Sequence, residues 1–85
     1  MSLEDRSDRI DRNSPRLLPE QVADDLRALI KSGELTGRMP TELELAGQYA
    51  VGRITVRTAI AALAGEGIIQ VIHGRGMFAA RPGGS

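Results

Sequence analysis

Met39–Ile69 reads MPTELELAGQYAVGRITVRTAIAALAGEGII, and this stretch decides the fold. Thr41 and Glu44 make the T-x-x-E pattern of a capping box, in which each side chain satisfies a backbone N–H at a helix start. The pattern predicts a short helix over about Glu42–Tyr49, with Leu45, Ala46 and Tyr49 facing inward. Glu42 also suits the positive end of that helix. Four residues after Tyr49, near Arg53, another helix begins and runs to about Gly65. Val56, Ile60 and Leu63 recur at i, i+4, i+7 as its inner stripe, and Ala59 and Ala62 allow close packing. Arg53, Thr55, Arg57 and Thr58 cluster at its N-terminal end. Two such helices joined by a tight turn make a helix-turn-helix.

Upstream, Pro19 suits a first helical position, and Val22, Leu26, Leu29 and Ile30 form one apolar stripe over about Pro19–Ser32. Gly33 is a natural stop. A connector, Glu34–Pro40, tucks Leu35 and Met39 into the core. Downstream the period changes. Ile68, Ile69, Val71 and Ile72 are β-branched and read as a strand. His73-Gly74-Arg75-Gly76 is a turn, and Met77, Phe78 and Ala79 form the return strand. The predicted fold class is mainly α with a small β-hairpin: a winged helix-turn-helix of three helices and a two-stranded wing, over residues 17–81. Residues 1–16 alternate Asp and Arg, and Leu3 and Ile10 alone do not offset the entropy of ordering, so a disordered leader is expected. Residues 82–85 read as a flexible tail.

Composition narrows function. The chain has 85 residues, enough for one small domain. It has no Cys and a single His, His73, so no Cys-ligated or multi-histidine metal site is expected, and no cofactor. No apolar run approaches the roughly 20 residues of a membrane span, and the N-terminus lacks a secretory signal, which points to the cytoplasm. No nucleophile–base pair, paired carboxylates in a pocket or phosphate-binding glycine loop appears, so no enzyme is expected. Eleven Lys+Arg balance eleven Asp+Glu, which on its face argues against a polyanion partner. The charges are not evenly spread, however. Residues 1–37 hold six cations and eight acids, and residues 38–85 hold five cations and three acids. The third helix and wing carry Arg53, Arg57, Arg75 and Arg81 against Glu66 alone.

The segments EQVADDLRALIKSGEL, MPTELELAGQYAV, RITVRTAIAALAGEGII and HGRGMFAA together resemble the N-terminal DNA-binding domain of GntR-family bacterial transcription regulators, over Leu18–Ala80. The resemblance implies a sequence-specific regulator, a repressor or an activator. Its recognition helix would enter the major groove and its wing the adjacent minor groove. Carried across, Arg53 and Arg57 reach bases or phosphates, Thr55 and Thr58 accompany them on the helix, and His73, Gly74 and Arg75 form the wing tip. Physical chemistry agrees: Arg is the best bidentate partner for guanine, and a narrow minor groove attracts an inserted Arg. The HGRGMFAA wing resembles the HutC-like branch, whose effector domain resembles chorismate lyase.

The sequence also departs from the family pattern. Gly52 stands where a Ser usually caps the recognition helix. Ala50 stands where Gly is usual, and carries strain if its φ is positive. Leu43 stands where an Arg often reads bases, and the connector looks about two residues short. Ile54 and Leu43 are apolar residues on the reading face, facing either a thymine methyl or a neighbour. Thr55 serves either DNA or the helix terminus, and His73 is either a wing-tip contact or an ordinary exposed residue. Two readings remain: a DNA-binding regulator, or a winged helix used as a protein-interaction module, and the arginine cluster favours the first. The chain stops just past the wing, so it reads as an excised domain or as a short regulator lacking an effector-binding domain. The expected partner is a pseudo-palindromic double-stranded operator. Two copies would pair on the DNA or through a missing C-terminal domain.

Overall fold

The computed structural model describes residues 5–80. Helices α1 (Leu18–Ser32), α2 (Glu42–Tyr49) and α3 (Arg53–Gly65) precede antiparallel strands β1 (Ile69–Ile72) and β2 (Gly76–Ala79). This is the expected winged helix-turn-helix. The bounds of α2 and α3 are those predicted, because their signals are local. Thr41 accepts the Glu44 N–H at 3.1 Å and Glu44 accepts the Thr41 N–H at 2.9 Å, closing the capping box. Helix α1 starts one residue before Pro19, whose missing N–H is as dispensable there as at the first position. Gly33 ends it in the left-handed region at φ 85°.

The inner stripes of the three helices meet in one core. Val22, Leu26, Leu45, Tyr49, Val56 and Leu63 are its largest fully buried side chains. Leu35 and Met39 of the connector are buried with them, as expected. Each fully buried aliphatic side chain contributes about 1.5–3 kcal/mol, so this core outweighs the surface ion pairs. Helix α1 packs most extensively on α3 and so supports the exposed face of α3 from behind. Ala62, expected in that contact, is exposed, whereas Ala59 is buried.

The wing has a third member that the sequence did not suggest. β1 pairs with β2 in the register Ile69↔Ala79 to Ile72↔Gly76. The connector pairs with the other edge of β2 through an Arg38↔Phe78 bridge. Met39 N–H donates to Met77 C=O and Ala79 N–H to Gly37 C=O, each at 2.8 Å.

The N-terminal segment corrects the expectation of a disordered leader over its described part, Asp5–Arg16. Ser7–Arg9 form a 3-10 turn, and Ile10 is buried at 8% exposure. Arg6 forks onto Asp25, with Nε 2.5 Å from Oδ2 and Nη2 3.0 Å from Oδ1. The buried Tyr49 hydroxyl donates to the same Oδ2 at 2.6 Å. The Arg6 N–H donates to Gln48 C=O at 2.7 Å, and the Arg12 guanidinium donates to Ala50 C=O. Gln21 accepts the Asp11 N–H and donates to Asp11 C=O and Arg16 C=O. Few apolar atoms are involved, so hydropathy alone misses this order. Residues 1–4, Arg81 and the expected tail 82–85 lie outside the described residues.

Burial pushes the Asp25 carboxylate up. The hydrogen bonds from Arg6 and Tyr49, with the Arg6 charge, outweigh it and leave the group below its ordinary range. Burial and the bond to Asp25 raise the Tyr49 phenol. Between α2 and α3, Ala50 sits at φ 55°, ψ 48°, the one non-glycine residue with positive φ among those described.

Three outcomes follow from these contacts. Ala50→Gly is expected to stabilise the chain by about 1 kcal/mol in urea melts, since glycine adopts this backbone without Cβ strain. Ile10→Ala is expected to lower the unfolding free energy by about 2 kcal/mol, whereas a disordered leader would leave the midpoint where it was. Asp25→Asn is expected to cost about 1–2 kcal/mol at neutral pH, because its one amide oxygen cannot serve both Arg6 and the Tyr49 hydroxyl and its NH2 group faces a cation. The Asp25 contribution is complete above the ordinary carboxylate pKa of about 3.9 and is lost as pH falls through the lower folded value. Acid melts of Asp25→Asn should therefore lose less stability in that window than those of the parent.

Candidate nucleic-acid interface

Helix α3 has one apolar and one solvent face. Val56, Ala59, Ile60 and Leu63 are buried, while Arg53, Ile54, Arg57, Thr58 and Ala61 are exposed. Gly52 is the N-cap, as expected, and offers no side-chain acceptor to the first-turn N–H groups. Ala50 turns the chain from α2 into α3, and its carbonyl is held by Arg12.

Arg53 and Arg57 are brought together by an acid that the sequence reading had assigned only to a helix end. Arg57 Nη2 donates to Glu42 Oε1 at 3.1 Å, and Nε lies 3.4 Å from Oε2. Arg53 Nη2 stands 4.0 Å from the same Oε1. The Glu42 hydrogen bond, with its charge, raises the Arg57 guanidinium above its usual range. Both arginine side chains remain more than half exposed, so solvent screens the pairs and a polyanion can compete for either cation.

The wing lies across a groove from this cluster. Arg38, Pro40, Thr41 and Glu42 form one wall; Val71, Ile72, His73 and Gly74 form the other, around a volume of about 370 Å³. His73, Gly74 and Arg75 make the tip, which the Arg75 N–H closes on Ile72 C=O at 2.9 Å. Gly74 turns at φ 79°. Arg38, absent from the sequence-based site, reaches this wing. Its guanidinium lies against Gly76, whose φ of 107° favours glycine. Nothing in the connector's composition signals this placement, which arises from backbone pairing with β2.

The remaining expected residues are less concentrated. Thr55 is half-buried on α3. Thr58 borders a separate hollow with Arg16, Pro19, Glu20, Asp24 and Arg27 of the α1 side.

Charge pairing differs between the arginines of the body and those of the groove. Away from the groove, Arg6 pairs with Asp25, Arg16 with Glu20 and Asp24, and Arg27 with Asp24 and Glu66. Arg38 and Arg75 form no ion pair among the described residues, and Arg53 and Arg57 share the single carboxylate of Glu42. Arg9, Arg12 and Lys31 of the body are likewise outside the ion pairs among the described residues, but α3, the groove and the wing tip hold four arginines against one paired carboxylate.

Known proteins carry the same domain. The bacterial regulatory proteins of the gntR family match over residues 18–79. The HTH-type transcriptional repressor NagR of Bacillus subtilis (strain 168) is 39% identical over 75 residues, covering 86% of this chain and 31% of its own length. The arabinose metabolism transcriptional repressor of Geobacillus stearothermophilus is 38% identical over 64 residues, covering 73% of this chain and 18% of its own length. The chain thus spans about a third or less of these curated relatives. Among solved structures, AraR(DBD) in complex with operator ORX1 superposes with a TM-score of 0.74 at 32% identity, covering 84% of this chain and 90% of that one. YtrA from Sulfolobus acidocaldarius, a GntR-family transcription factor, gives a TM-score of 0.74 at 35% identity, covering 82% and 76%. Sequence, architecture and charged face agree, and the chain belongs to the gntR family of bacterial regulatory proteins.

Proposed function

We propose that the chain is the DNA-binding unit of a cytoplasmic transcription repressor acting on double-stranded operator DNA. One observation carries this reading: Arg38, Arg53, Arg57 and Arg75 gather around α3 and the wing, and Glu42 is the one carboxylate paired with any of them among the described residues. The operator complex of the similar AraR domain, and the repressor names of relatives, support it.

In this reading α3 enters the major groove. Arg53 and Arg57 leave or share Glu42 to reach guanine edges or phosphates, a role that suits a planar fork of donors. Thr55 and Thr58 add hydroxyl contacts along the helix, and the open first turn of α3 adds backbone N–H groups toward a phosphate. The wing tip, with His73, Gly74 and Arg75, meets the neighbouring minor groove, whose narrow form attracts cations. Arg38 joins it from the connector. The HGRGMFAA wing supports placement in the HutC-like branch. Two copies on a pseudo-palindromic site would mirror protein symmetry in the DNA.

Titration of promoter duplexes across a salt series checks the assignment. Affinity should fall steeply with salt, as counterion release requires. Arg57→Ala should weaken specific binding at least about fivefold, and Arg75→Ala should flatten the salt slope by about one and weaken the preference for a narrow minor groove. Salt-independent binding, or an Arg57→Ala chain that binds as the parent does, contradicts the assignment.

A further inference from the structure

Two large aliphatic side chains stand among the cations of this face. Ile54 is 77% exposed and Leu43 is 66% exposed. Ile54 follows Arg53 and precedes Arg57 by three residues, so the helical period puts it on the side of α3 that Arg57 occupies. Leu43 follows Glu42, the carboxylate that both arginines approach. Both aliphatic residues lie in the first turn of their helices.

Resting on the DNA-binding reading above, we propose that Ile54 reads thymine through its C5-methyl group, and that Leu43 of the preceding helix does the same at a neighbouring base pair. The argument is geometric. The N-terminal residues of a recognition helix contact base edges, and a helix that carries Arg57 there carries Ile54 with it. Ile54 then loses its water whatever it meets. The major-groove edges present donors and acceptors at every pair but one apolar group, the thymine methyl. Against any other edge an isoleucine leaves polar base atoms without partners, which is unfavourable. The surrounding charge matches the same partner. Arg53 and Arg57 lie on the same helix as Ile54, and Arg38 lines the groove that their partner Glu42 also lines, a setting complementary to phosphates near a methyl.

A methyl-deletion cycle tests this. Enrichment of a random duplex library on the full chain gives a preferred half-site. Deoxyuridine, which lacks only the methyl, then replaces each thymine in turn. At the contacted position it should weaken binding by the parent chain about fourfold, the worth of one buried methyl. Ile54→Ala should bind the thymine duplex comparably weakly and be indifferent to deoxyuridine at that position. Ile54→Val should recover part of the discrimination, and Leu43→Ala should behave like Ile54→Ala at an adjacent thymine. Circular dichroism confirms that these exposed-site variants fold.

Salt-dependent binding to a preferred half-site at which no deoxyuridine substitution matters would overturn methyl reading and leave DNA binding intact. So would a deoxyuridine effect that persists in both alanine variants. A library that enriches no duplex would overturn both readings. An Ile54→Ala chain that binds DNA as the parent does but no longer self-associates would assign the patch to a protein contact and end the proposal.

Discussion

A phenol buried to zero exposure must find an acceptor, and Tyr49 finds it in Asp25. That single requirement organises much of the domain. It fixes the end of α2 against the middle of α1. It leaves a half-desolvated carboxylate that needs a cation, and Arg6 supplies one from 19 residues upstream. Arg6 in turn draws the N-terminal segment across the body, which lets Ile10 reach the core and Arg12 reach the carbonyl of Ala50. The turn that sets α3 relative to α2 is therefore held from outside the helix-turn-helix. This matters because Ala50 occupies a backbone region that favours glycine. A turn with that residue is stabilised by neighbours rather than by its own conformation.

The two helices of the motif were legible because their signals are short-range. A capping box, a stripe at i, i+4, i+7 and a glycine before α3 can all be read within a few residues. The exposed Ile54 and Leu43 and the buried connector residues could be anticipated too, whereas the strain at Ala50 was raised only as a condition by the family pattern, in which glycine is usual there. The N-terminal segment could not. Its alternating Asp and Arg look like a solvated tail until partners at Asp25, Gln21 and Gln48 are known, and those lie on other elements. Arg38 was hidden in the same way, since a connector joins a sheet only through backbone pairing that carries no side-chain signature. Glu42 was seen as a helix-end acid, and its contact with two arginines of the next helix is a tertiary fact.

Zero net charge is a poor guide to this surface. What matters is which charges remain after neighbours have neutralised one another. Acids of α1 and the α3 end absorb Arg6, Arg16 and Arg27. Glu42 is different because it sits inside the cationic cluster. An anion that approaches Arg57 either shares its guanidinium with a carboxylate already in place or displaces it, so well-oriented phosphates gain more there than badly oriented ones. Neutrality and selectivity thus have a common structural source.

The connector's pairing with β2 closes both edges of that strand, one on β1 and one on Gly37–Met39. A strand without a free edge offers no template for another chain, so edge-to-edge association is left to the outer members, β1 and the short connector. The same pairing also gears the wing to the helix-turn-helix. Met39 is bound to Met77 and lies two residues before Thr41, the cap that starts α2. Tension or torque on the chain at Ala79 consequently reaches the start of α2 through a pair of hydrogen bonds and a two-residue step along the backbone.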